Sequence, residues 1–192
     1  ILMIFSLRIS YWLTLPLIII AAGFLVRIFI IFHDCGHNSF FPSKETNKKV
    51  GFWLGVLTFT PSEHWWHAHA IHHATSSNLD KRGIGDVETL TVAEYQALPW
   101  QRKLGYRLFR NPIIMLGLGP IFMFVIMHRI DTPKFGKKET NSVILTNLVM
   151  LAILIIMGLT IGLKEFLIIQ LPVMLLAGMI GIYLFYVQHQ FE

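Results

Sequence analysis

The sequence predicts an all-α integral membrane protein with a histidine-rich metal site at one membrane boundary. Hydrophobic residues make up 54% of the 192 residues, only 14% are charged, and the mean hydropathy is +0.59. Several apolar runs are long enough to cross a hydrocarbon core of about 30 Å as helices. Seven of the nine histidines fall in two short stretches that abut apolar sequence. These features exclude an ordinary soluble domain.

The first predicted span covers residues 12–32. Residues 1–7 are expected to end a preceding helix, with Arg8 and Ser10 in the turn between them. The chain begins in apolar sequence without a Met and stops in a polar stretch, so we expect one domain over residues 1–192 that is truncated at both ends.

Two further spans are predicted at residues 143–163 and 166–187, joined by a turn at Lys164-Glu165. Small residues let membrane helices approach closely. Four glycines on this pair are therefore expected to permit close helix contact: Gly158, Gly162, Gly178 and Gly181.

The charge distribution predicts the topology. Thirteen of the sixteen Lys and Arg residues lie between Lys44 and Lys138, which favours a cytoplasmic location for residues 33–142. Residues 112–127 are apolar but short, with Arg110 and Arg129 as basic flanks. If this segment crossed the membrane, one of its basic flanks would lie outside the cytoplasm, so we expect an interfacial or re-entrant segment. The polar stretch before it predicts a loop with a short helix at residues 92–98, where Thr91 and Glu94 form a capping box.

The histidines are spaced as metal ligands. The first group reads HDCGH at residues 33–37, and the second reads HWWHAHAIHH at residues 64–73. Side chains three or four positions apart share one helix face, so His33 with His37, and His69 with His72 and His73, could converge on metal. All-nitrogen sites suit zinc, copper or iron. No His-Glu-x-x-His zinc motif is present, and more than four histidines favour a dinuclear centre.

The motifs HDCGHNSFF, HAIHHATSSNLDKRGIGDVETLT, YRLFRNP and LFYVQHQFE resemble the membrane fatty-acid desaturases, especially the acyl-lipid Δ12/ω-6 type. The resemblance implies part of a four-transmembrane-helix fold. It also implies two non-haem iron ions that reduce O2 and remove two hydrogens from an acyl chain. Its catalytic and metal residues, carried over by motif, are His33, His37, His69, His72 and His73.

One part of the family pattern, a further His-x-x-His-His box, is absent from these residues. His189 precedes the place of that box and is expected either to bind metal or to hydrogen-bond a ligand. With an incomplete ligand set, the 192-residue chain alone is expected to bind iron weakly and to be inactive. The implied partners are an acyl-lipid, O2, the membrane and an electron donor such as ferredoxin or cytochrome b5, with no nucleic acid. Basic loops could steer an acidic donor.

The remaining chemistry-bearing residues receive supporting interpretations. Trp65 and Trp66 suit the membrane–water interface. His64 and His67 lie off the ligand stripe, and His128 is interpreted as a headgroup contact. Carboxylates often orient ligating imidazoles, which makes four acids candidates for that role: Asp34, Asp80, Asp86 and Glu192.

Two alternatives stay open. A related membrane di-iron hydroxylase or ketolase would have overlapping histidine spacing. A non-enzymatic haem-binding or metal-transporting membrane protein is disfavoured because such proteins place their ligands inside the helix bundle, whereas these histidines cluster at its boundary.

Overall fold

Helices account for the regular structure of the described chain. The computed structural model describes residues 1–76, 78–83, 88–132 and 135–188, and no strand occurs among them. The α-helices are α1 (Leu2–Ile9), α2 (Tyr11–Gly36), α3 (Lys44–Leu57), α4 (Ser62–Thr75), α5 (Val92–Ala97), α6 (Trp100–Phe109), α7 (Pro112–Gly117), α8 (Lys137–Met157) and α9 (Leu163–Gln188). Short 3-10 turns cover Leu79–Lys81 and Met127–Arg129, and π-helical turns cover Ile121–Ile126 and Gly158–Gly162. The predicted all-α class is confirmed.

Three helical segments are long and apolar enough to cross a membrane: Tyr11–Gly36, Pro112–Arg129 and Lys137–Val187. Their outward surfaces carry large apolar side chains, such as Phe24, which is 67% exposed, and Leu159, which is 84% exposed. Such side chains are stable when they face lipid rather than water. The segments therefore have the character of an integral membrane protein.

The segment Lys137–Val187 contains two antiparallel helices. A straight helix of its 51 residues would be about 75 Å long, yet both of its ends contact α4. Near its start, Glu139 lies 2.9 Å from His67, and near its end the ring of Phe185 lies 5.5 Å from that of His72. The chain reverses at Gly162, which has a left-handed φ of +103°. The predicted turn at Lys164-Glu165 therefore lies two residues too late.

The turn between α1 and α2 forms where it was predicted. Ser10 is extended, and its hydroxyl accepts a hydrogen bond from the amide of Trp12 at 3.3 Å. Ser6 and the buried Thr14 share a hydrogen bond of 2.9 Å across the turn. This side-chain cap satisfies one of the free amides at the start of α2.

Helices α3 and α4 form a hairpin that packs against the end of α2. The ring of Trp66 on α4 fills the space between Gly36 of α2 and Gly51 of α3, where a Cβ atom on either glycine would overlap it. The same indole stacks on Phe32, with ring centroids 5.4 Å apart. These contacts fix the position of α4 relative to α2.

The apolar segment Pro112–Arg129 packs on α9 and has both flanks on the side of α4. Gly178 of α9 lies against Pro120 and Phe124, rather than between α8 and α9 as was expected of the glycines. At one flank, Arg110 donates a hydrogen bond to the Tyr186 hydroxyl near the end of α9. At the other flank, Thr132 lies 2.8 Å from the His64 ring. Two flanks on one side are expected of a re-entrant segment.

Candidate metal centre

Four histidines converge at the end of α2. They are His33 in the last turn of α2, His37 directly after that helix, and His69 and His73 of α4, and one ring nitrogen from each lies within 4.8 Å of the other three. The Nε2 atoms of His69 and His73 are 3.0 Å apart. Among the described residues, no other group of His, Cys, Asp or Glu side chains meets this condition.

The i, i+4 spacing within each pair produces this convergence. The paired rings lie 4.6 Å apart at the end of α2 and 4.4 Å apart in α4. Contacts between the helices are equally close, with His33 and His69 centroids 4.8 Å apart. Helix α2 ends at Gly36, His37 caps it, and the chain then turns at Asn38, whose left-handed φ of 54° Asn tolerates better than most residues.

Neighbouring side chains hold the imidazoles in place. Asp34 lies 3.0 Å from Nδ1 of His33, which supports the orienting role proposed for this carboxylate. The indole of Trp65 stacks on His69 at 4.4 Å and packs against Phe29 and Phe32 of α2. Trp65, which is expected at the membrane–water interface, also forms a wall of the candidate site.

The environment of His69 and His37 favours the neutral imidazole. Burial, and then the neighbouring histidines, lower the pKa of His69 from 6.5 to about 3. Burial is also the main cause that lowers the pKa of His37. A metal ligand must offer an unprotonated ring nitrogen, so this environment fits a bound cation. Four imidazole nitrogens in one cluster suit iron, zinc or copper.

His72 does not join these four side chains. Its ring centroid is 6.1 Å from that of His69 and 5.8 Å from that of His73. Only 3% of the residue is exposed, and it packs against Phe185 of α9. The structure thus brings together four of the five motif histidines, and His189 lies outside the described residues.

The other face of α4 carries the remaining histidines of the second group. His67 lies 2.9 Å from Glu139 of α8, a carboxylate that the sequence analysis did not select. Burial is the main cause that lowers the pKa of His64, which lies beside Thr132. Both point away from the cluster, as their spacing predicted.

The interpretation of His128 as a headgroup contact is wrong. The residue is 8% exposed, and its ring lies 3.2 Å from the carbonyl oxygen of Phe59. The neighbouring Arg129 also donates to this carbonyl and, at 2.8 Å, to the side chain of Asn147. Together these contacts fasten the apolar segment to α8 and to the α3–α4 connection.

The candidate acids differ in their positions. Asp34 contacts the cluster, whereas Asp80 lies in a 3-10 turn in which its amide donates to the side chain of Asn78. The nearby Arg82 pairs with Glu94. Asp86 and Glu192 lie outside the described residues.

A cavity of about 500 Å³ is lined by Trp66 and by none of the four clustered histidines. Its walls come from the ends of α2, α3, α4 and α8. They include Lys48 and Lys138, which both pair with Glu63. These charged walls do not suit an acyl chain.

Comparison with known proteins decides the family. The family model for fatty acid desaturases matches residues 10–192, nearly the whole chain. This chain belongs to the fatty acid desaturase family. No solved structure matches it.

Relatives within the fatty acid desaturase family differ in their named activities. A protein of Bacillus subtilis (strain 168) named fatty acid desaturase is 54% identical over 97% of this chain and 53% of its own length. A Synechocystis sn-1 acyl-lipid omega-3 desaturase (ferredoxin) is 34% identical over 59% of this chain and 30% of its own length. A Synechocystis sn-1 oleoyl-lipid 12-desaturase is 30% identical over 69% of this chain and 36% of its own length. The chain thus spans about half the length of the Bacillus protein and about a third of the other two.

Proposed function

We propose that this chain contributes histidine ligands to a membrane desaturase that introduces a double bond into a fatty acyl chain. The observation that carries the proposal is the cluster of four histidine nitrogens within 4.8 Å of one another, at the end of a membrane-grade helix. Family membership and the names of the relatives support the reaction.

The donor set fits iron, and we propose a di-iron centre. His33, His37, His69 and His73 would hold metal, while His72 and His189 are proposed to contribute to the second iron. Bound iron would supply the O2-dependent oxidation that an unactivated C–H bond requires, which no acid–base side chain can perform. In the overall reaction, –CH2–CH2–, O2, two electrons and two protons give –CH=CH– and two waters.

The protein's own residues orient and shield the ligands. Asp34 accepts a hydrogen bond from Nδ1 of His33 when that nitrogen carries the proton, which leaves the other nitrogen free for metal. Trp65 covers one face of His69 and excludes water from it. Burial keeps the pKa of His69 low, so that protons compete weakly with the cation.

For the substrate we propose an acyl-lipid, desaturated in the Δ12/ω-6 manner. The name of the Synechocystis 12-desaturase supports a double bond at Δ12, whereas the name of the omega-3 relative supports the alternative, ω-3 position. A ferredoxin is the proposed electron donor because the omega-3 relative's name includes it, with cytochrome b5 as the alternative. We propose that the histidine cluster faces the cytoplasm, since the basic residues concentrate between Lys44 and Lys138.

The test is expression of the full-length gene that includes this chain in a host whose lipids lack the product, followed by fatty-acid analysis. A new double bond at Δ12 is expected. His69→Gln should abolish it, whereas His67→Gln, on the opposite face of α4, should retain it. A hydroxylated product with no new double bond would contradict the proposal and favour the hydroxylase alternative. A double bond at another position would contradict only the proposed regiochemistry.

A further inference from the structure

Helix α6 exposes an apolar stripe that the described part of the chain leaves uncovered. Trp100, Leu104 and Leu108 are 69%, 48% and 46% exposed. They recur every four residues, so they lie along one face of the helix. A stripe of this kind on a helix of ten residues requires an apolar environment.

The same helix is strongly basic. It contains Arg102, Lys103 and Arg107, and it has no acidic residue. Lys103 and Arg107 lie beside the apolar stripe and over the ring of Tyr95, 5.9 and 5.8 Å from its centroid. The Arg107 Nε atom also donates to the Tyr95 hydroxyl at 2.6 Å. Their charges are thereby held at the edge of the stripe.

The position of α6 in the chain places it at the membrane surface. Asn111 caps the next helix through its side chain, and the apolar segment Pro112–Arg129 follows directly. Arg110 ties the end of α6 to the end of α9 through the Tyr186 hydroxyl at 3.2 Å. The stripe therefore ends four residues before a segment that is apolar enough to cross a membrane.

We propose that α6 lies in the membrane interface and binds anionic phospholipids. Trp100, Leu104 and Leu108 enter the acyl region, and Lys103 and Arg107 contact the phosphates. Basic amphipathic helices bind membranes in this way, and each cation near an anionic surface favours binding about fivefold. The apolar stripe favours lipid over an acidic soluble protein, which would leave the stripe in water. The proposal goes beyond desaturation and does not depend on it.

Nitroxide labels on the purified protein in nanodiscs test the proposal. Leu104→Cys places a label on the stripe, and Arg102→Cys places one on the opposite side of the same helix. The natural Cys35 is buried and resists labelling. In discs of phosphatidylcholine with phosphatidylglycerol, the label at 104 should collide with dissolved oxygen and be shielded from a water-soluble nickel chelate. The label at 102 should show the reverse.

The charge dependence is measured with a double variant. Lys103→Gln with Arg107→Gln should reduce the shielding at 104 in anionic discs severalfold, to the level found in phosphatidylcholine alone. Lys49→Gln, an exposed cation on α3, should leave the shielding unchanged. Equal shielding in both kinds of disc would overturn the selection for anionic lipid. Three results would overturn the membrane contact itself. The label at 104 could be accessible to the chelate, it could be shielded from both reagents even in detergent, or it could be shielded only after ferredoxin is added.

Discussion

Replacing Gly51 by Ala tests how tightly the α3–α4 hairpin is locked to α2. A Cβ atom at Gly51 would lie 2.5 and 2.6 Å from two ring carbons of Trp66, whereas ordinary van der Waals contact begins near 3.4 Å. The ring would have to move by about 0.9 Å, the difference between 3.4 and 2.5 Å. It is held by stacking on Phe32 and by a 3.3 Å hydrogen bond from its Nε1 to the Phe32 carbonyl.

The expected magnitude follows from two opposing effects. Overpacking a tight contact costs about 1–3 kcal/mol, and replacing Gly by Ala inside a helix returns up to about 1 kcal/mol. Gly51→Ala should therefore lower the free energy of unfolding by about 1 kcal/mol. Gly105→Ala on α6 is the matched control, because nothing lies within 4 Å of its Cβ position, and it should raise stability slightly.

The assay is the unfolding of both variants in detergent, monitored by circular dichroism. The double variant Gly51→Ala with Trp66→Leu should lose less stability than the sum of the two single losses, since both substitutions act on one contact. If Gly51→Ala stabilised the protein as much as Gly105→Ala, the ring would not be wedged between the helices, and the reasoning would be refuted.

Three further predictions concern metal, acid and the apolar segment. Adding Fe(II) at about 100 times its Kd should raise the free energy of unfolding by about 2.7 kcal/mol. In thermal-shift assays, His73→Gln should lose this rise, whereas His64→Gln should keep it. Equal responses of the two variants would contradict the ligand assignment. Glu94 has a pKa lowered to about 2, chiefly by Arg82, so its contribution to the α5 cap is present above about pH 4.5 and lost as the pH falls toward 2. Hydrogen exchange of α5 should show this loss in the wild type but not in Glu94→Gln; identical pH profiles would refute it. Arg129→Met should destabilise by about 1–3 kcal/mol because Asn147 loses its partner, while the same change at exposed Arg8 should have little effect on the melting temperature; equal losses would argue against this.

Local patterns predicted the membrane helices and the short capped helix well. Residues 12–32 lie within α2, and the capping box of Thr91 and Glu94 forms as expected. Both depend on neighbours in sequence, namely a run of apolar side chains or a side chain that reaches an adjacent amide. The predicted end of the first helix is less accurate, because α2 continues past residue 32 to Gly36 and includes His33.

Features that depend on distant residues were not predictable in this way. His72 packs against Phe185, a residue that no local pattern could place beside it. The contacts of Trp65 with Phe29 and Phe32 likewise join residues that are far apart in the sequence. The turn at Gly162 depends on backbone freedom rather than on charge.

The order of the cluster residues along the chain has a consequence for synthesis. All four converging histidines lie between His33 and His73, at the end of α2 and on α4. A ribosome therefore completes these four ligands before it makes any residue of α8 or α9. The packing of His72 against Phe185 has to wait for the last helix. The order of synthesis therefore allows the four-histidine cluster to form before the contact between His72 and Phe185.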